Sequence, residues 1–354
     1  MIASTYASSS TTSTTSPATP DISIIQDGKK RVLESCLQGD AIKAQEILDQ
    51  LEEILKSNKS ETDETLLECH DAILDAWMSH QSKLFEEYNN AVHATPTPPT
   101  PSTSVSLSSS NQKKLEVQIF HAADKAHQAL EHIVPFLSRP ARAIYAPKTV
   151  SVASMKAEDV AVLEDIPGGL GSSISAVTKR RRQLSSDHML HQCNSVLLAW
   201  ARASQVSTTR QGIPQRATFV LQRLQVAAGD NSSRNNVGVV VGLQPTTESY
   251  NRVLEAWAWS REHLRATMAE HIFQNWLGQS KKQSSKNKTI AKPDGESYRW
   301  IIQAWCHSQQ RKSAFTATGH LMKYLRRLEK SREERDPNLL ETYHRVMKAW
   351  TTAE

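Results

Sequence analysis

Glycine is scarce in this chain, with 12 residues among 354. Folds that cradle phosphates on glycine-rich turns spend more of it, so a nucleotide-binding α/β fold is disfavoured. Cysteine is scarcer still. Cys36, Cys69, Cys193 and Cys306 stand far apart with no CxxC pair. This excludes a disulfide framework and a zinc finger, and suits a reducing compartment. No run of 18 apolar residues occurs, which excludes a membrane-spanning helix. Hydrophobic residues make up 38%, under the usual share of about 45–50%. Part of the chain is therefore expected to stay outside any core.

What is present is unevenly spread. Residues 1–178 hold 14 Lys and Arg against 23 Asp and Glu, a net of −9. Residues 179–354 hold 28 against 14, a net of +14. A basic half of this size favours nucleic acid or another anionic surface; the plainer alternative is a solubilising helical face. Residues 1–28 read as a disordered leader, rich in Ser and Thr but without the apolar core of a secretory signal or the arginines of a transit peptide. Two further stretches read as insertions. The Pro/Ser/Thr-rich 95–112 lacks backbone donors and competes for those that remain. The stretch 140–186 contains Pro-Gly-Gly and the basic run Lys179–Arg182. Shorter loops are expected at 204–213, 228–246 and 278–293, and Val237–Val241 could form a short strand.

Between these stretches apolar residues recur at three- and four-residue spacing, the period of helices. One phrase occurs five times, as HDAILDAW, CNSVLLAW, YNRVLEAW, YRWIIQAW and YHRVMKAW, ending at Trp77, Trp200, Trp257, Trp305 and Trp350. Its first residue, the apolar pair three and four positions on, and the Trp share one helical face. A second phrase alternates with it, at Ala44–Leu51, Ala126–Ile133, Ala217–Leu224, Ala269–Trp276 and Thr318–Leu325. It leads with a small residue and carries apolar residues three, four and seven positions later. A pair of helices with one stripe each cannot bury both alone, but stacked copies can. The expected fold is all-α: an α-solenoid of antiparallel helix pairs over residues 29–354. Arg31–Gly39 reads as the end of a degenerate first helix. The five tryptophans are expected to be its structural core.

At Pro245–Leu254 and Pro293–Tyr298 the sequence resembles the pentatricopeptide repeat family, where a Pro-Asp pair precedes a Tyr-Asn that opens the first helix of each repeat. The resemblance covers residues 31–354 outside the insertions. It implies binding of single-stranded RNA in a mitochondrion or plastid, one base per repeat. Its main base-reading position would fall at Ala72, Ser195, Arg252, Trp300 and Arg345. A second would fall at Thr247, Gly295 and Leu340. Among these, Ser195 is a residue type the family uses for readout, whereas Arg252, Trp300 and Arg345 suit phosphate contact and base stacking.

Other candidates have plainer readings beside them. Trp300 lies off the buried stripe and is either a stacking residue or a covered surface aromatic. Lys323, Arg326, Arg327 and Lys330 could hold phosphates or simply favour a helix C-terminus. Lys281, Lys282, Lys286 and Lys288 read as solvated. His188 and His191 have metal-ligand spacing but no evident third ligand, and the adjacent Asp187 reads as a helix N-cap. Glu158, Asp159, Glu164 and Asp165 read as a solvated acidic loop. No catalytic constellation, cofactor motif or small-molecule site stands out, and no metal or membrane contact is expected. The leading expectation is an RNA-binding helical-repeat protein without enzymatic activity. The alternative is a protein-binding scaffold of the tetratricopeptide kind.

Overall fold

A computed structural model of the chain describes residues 22–56, 63–93, 105–134, 186–207, 212–229, 243–284, 291–308, 310, 312–331 and 337–352. Among these residues the structure is all-α, with eleven helices and no strand. They are α1 Ile22–Leu37, α2 Ala41–Lys56, α3 Asp63–His93, α4 Val105–Ile133, α5 Ser186–Val206, α6 Ile213–Gly229, α7 Thr247–Trp259, α8 Arg265–Ser284, α9 Gly295–Cys306, α10 Ser313–Ser331 and α11 Leu339–Thr351. No helix of the described residues is long and apolar enough to cross a membrane.

Helix ends follow local chemistry. Gly39 takes the left-handed conformation, φ 75°, and ends α1 with Gly39 and Asp40 amides donating back to the carbonyls of Cys36 and Ser35. That turn demands a residue without a Cβ penalty. Asp40 then accepts the Lys43 amide at 3.0 Å and starts α2. Thr246 and Ser249 form a capping box on α7, as do Asp294 and Ser297 on α9. Each box satisfies two of the amides that a helix N-terminus leaves orphaned.

Several boundaries differ from the expectation. α1 begins at Ile22, inside the stretch read as a leader; Ile25 is buried and draws that turn into the core. α4 begins at Val105, inside the stretch read as an insertion up to 112. The last proline there is Pro101, and beyond it nothing removes a backbone donor. α5, α6 and α8 run two to seven residues into the expected loops. Asp187 lies in the first turn of α5 rather than at its cap. Residues 1–21 and 135–185, with Lys179–Arg182 and the acidic loop, lie outside the described residues, as do Val237–Val241, Lys286 and Lys288.

The two phrases fall on alternate helices: the Ala-Trp phrase on α3, α5, α7, α9 and α11, the second on α2, α4, α6, α8 and α10. Packing follows the same order. Each helix packs on the next, and each odd-numbered helix also packs on the next odd-numbered one. Trp77, Trp200, Trp257 and Trp305 are buried with the apolar pair that precedes each of them. A buried aromatic hides roughly 150–250 Å², which at about 25 cal/mol per Å² is worth about 4–6 kcal/mol before entropy is counted. Trp350, expected in the same core, is 45% exposed, and Met347 is 63% exposed. Among the described residues no further helix covers that side of α11.

Each indole N–H of the five is satisfied by the preceding even-numbered helix. Trp77 donates to Gln45, Trp200 to His127, Trp257 to Thr218, Trp305 to Glu270 and Trp350 to Thr318, at 2.9–3.2 Å. Gln45, His127, Thr218 and Glu270 each follow the small residue that leads the second phrase. Thr318 takes the same role, so the phrase on α10 leads with Ala317 and runs to Tyr324, one residue earlier than the sequence suggested. Ala317, His320, Leu321 and Tyr324 are all buried, in the register of Ala269, Ile272, Phe273 and Trp276.

Candidate nucleic-acid interface

The odd-numbered helices meet through a repeated polar tie. Asp71 of α3 accepts from Gln192 of α5 at 3.0 Å. Asn194 of α5 accepts the Ser249 hydroxyl of α7 at 2.6 Å. Asn251 of α7 accepts the Ser297 hydroxyl of α9 at 2.6 Å and donates to Asp294 at 3.1 Å. The asparagine of the Tyr-Asn pair is therefore buried structure. It fixes the capping box of the next odd-numbered helix. These ties hold successive odd-numbered helices at a set register.

Ala72, Ser195 and Arg252, the base-reading candidates of α3, α5 and α7, directly follow the tie residues Asp71, Asn194 and Asn251. Ser195, Arg252, Trp300 and Arg345 occupy one register on α5, α7, α9 and α11, helices that pack side by side. All four are partly exposed. Ala72 of α3 holds the same place and is also partly exposed. Each of the three large side chains has a carboxylate one turn earlier. Arg252 lies 3.7 Å from Glu248 and donates to Glu255 at 3.0 Å. Trp300 donates its indole N–H to Glu296 at 3.2 Å. Arg345 donates to Glu341 at 2.6 Å and also to Gln303. Burial raises the Glu255 pKa, although the Arg252 hydrogen bond and charge oppose it. Burial lowers that of Arg202, and the nearby Arg252 charge lowers it further. The row is thus mixed in charge, with its cations already held by acids. The spacing of Glu248, Glu296 and Glu341, four residues before each candidate, could have been read from sequence.

The second set of candidates lies elsewhere. Lys323, Arg326 and Lys330 are exposed on α10, outside the row. Arg327 is partly buried and donates to the Pro293 carbonyl, a structural contact that ties α10 to the entry of α9. Thr247 donates to the Lys292 carbonyl at 3.2 Å. Gly295 faces Tyr324, whose hydroxyl a Cβ there would strike. Leu340 is 67% exposed. Lys281 is exposed, as expected of a solvated lysine.

His188, expected beside His191, faces α3. It lies 2.8 Å from Asp71 and joins the tie between α3 and α5. Cys193 is fully buried at the opening of its phrase, and burial pushes its thiol up to about 12. Burial does the same to Cys36, Cys69 and Cys306, each at about 11. These thiols are not poised as nucleophiles or metal-binding thiolates. The acceptors of the tryptophan N–H groups escaped sequence reasoning because four residue types fill one role.

The chain matches no family model, no curated protein and no solved structure.

Proposed function

We propose that the protein is an α-solenoid of the pentatricopeptide kind that binds single-stranded RNA and works in RNA processing, stability or translation, without catalysing a reaction itself. One observation carries this reading. Ser195, Arg252, Trp300 and Arg345 stand in one register on four helices packed side by side, one partly exposed side chain per helix pair. Such a row meets a strand of nucleotides at regular intervals. Arg and Trp supply phosphate contact and stacking without strict base preference. The net charge of +14 over residues 179–354 supplies long-range attraction. The organelle, a mitochondrion or plastid, rests on the family resemblance alone.

The test is binding of the full chain to single-stranded RNA across a salt series. Affinity is expected to fall with salt, with a slope of about −0.7 per phosphate neutralised. Substituting Arg252→Ala with Arg345→Ala is expected to weaken binding and flatten that slope. Affinity indifferent to salt, or to the double substitution, would overturn the reading.

A second reading has its own support. Glu248 and Glu255 compensate Arg252, and Glu341 compensates Arg345, which suits a peptide ligand better than a polyanion. On this reading the protein is a scaffold for another protein. Crosslinking in cells that recovers protein and no RNA would favour it.

A further inference from the structure

Glu52 of α2, His70 of α3 and His132 of α4 come together where these three helices meet. Their ligand atoms all lie within 4.8 Å of one another. His70 is 5% exposed, and its Nε2 stands 3.2 Å from Glu52 Oε1. That separation is close to the one between neighbouring ligand atoms around a tetrahedral ion with bonds of about 2.0–2.1 Å. The His132 ring lies parallel to that of His70, with centroids 4.2 Å apart. His132 is exposed and sits in the last turn of α4, so the cluster opens to solvent on its side.

We propose that Glu52, His70 and His132 form a binding site for a divalent first-row metal ion, with zinc the best fit to two imidazoles and one carboxylate. The buried His70 and the partly buried Glu52 are held in place by the packing of α2 and α3. His132 completes the site by turning out of its stack. In the stacked position the two rings lie in separate parallel planes, so their in-plane nitrogen lone pairs do not converge on one point. A fourth position stays open to water. The bound ion would staple α2, α3 and α4, and so join two successive helix pairs. Cys69 neighbours His70 in sequence but is not among the groups whose ligand atoms converge, so the ligand set is nitrogen and oxygen.

The test is a calorimetric titration of the metal-stripped full chain with zinc. One ion per chain is expected. His132→Ala, at an exposed position, should keep the helical circular dichroism of the parent and lower zinc affinity at least tenfold. Glu52→Gln should lower it in the same direction. His263→Ala, an exposed histidine outside the cluster, should leave it unchanged. Cobalt(II) in place of zinc should show d–d absorption without the near-ultraviolet band of thiolate ligation. No zinc uptake, an affinity unaffected by His132→Ala, or a thiolate band would each overturn the proposal.

Discussion

Thr218 and Glu270 perform one task with different chemistry, and the difference is measurable. The Thr218 hydroxyl accepts the Trp257 N–H at 2.9 Å in a fully buried setting. Thr218→Val keeps the shape and removes the acceptor. The orphaned N–H should cost about 1–3 kcal/mol, read as a lower urea midpoint at unchanged m-value. Glu270 accepts from Trp305 at 3.0 Å and meets His320 at 2.6 Å. Burial opposes its charge, but hydrogen bonds from His320, Gln274 and Trp305, with the His320 charge, outweigh this and take the carboxyl down to about 2 from 4.5. A depressed folded-state pKa gives stability that is present above pH 4.5 and lost as pH falls towards 2. Glu270→Gln should therefore flatten the fall in stability across that window relative to the parent, as followed by denaturant titrations at each pH. Equal slopes would show that the carboxylate carries no such linkage. At this scale the sequence was readable where a residue type repeats, as with the five tryptophans. It was unreadable where one role is spread over several residue types, as with Gln45, His127, Thr218, Glu270 and Thr318.

Helices were legible because their apolar stripes have a period, and misjudged where composition stood in for period. The Ser-rich start of α4 looked like loop, yet serine in a helix without proline costs only some tenths of a kcal/mol per residue. The register of α10 slipped by one because Ala317 and Thr318 are both small; the Trp350 hydrogen bond and the burial of Tyr324 separate them. Two glycines test the packing of single elements. Gly28 in α1 faces Leu51 of α2 so closely that a Cβ would run into its buried side chain. Gly278 in α8 has nothing within 4 Å of a Cβ. Gly278→Ala should gain up to about 1 kcal/mol from helix propensity. Gly28→Ala should forfeit that gain and lose roughly 1 kcal/mol net through overpacking. Thermal unfolding of the pair should move in opposite directions, and a shared sign would refute the close approach of α1 and α2.

Across the whole molecule, the chain-order packing makes each helix pair depend on its neighbours and on little else. The all-α class followed directly from periodicity. The exposed side of α11 did not, because Trp350 carries the same phrase as its buried counterparts and burial depends on what lies beside it. The candidate row was half legible: Trp300 was read as lying off the buried stripe, but the acids that hold Arg252 and Arg345 only became visible once helical spacing turned into contact. The central claim is that one module recurs and stacks only on adjacent copies. Amide hydrogen exchange of the full chain, with and without Trp257→Ala, addresses it directly. Removing this buried side chain should cost about 3–5 kcal/mol. Faster exchange is expected in α6, α7 and α8, less in α5 and α9, and none in α1 and α2. Exchange that rises equally in every helix, α1 and α2 included, would contradict a stacked array.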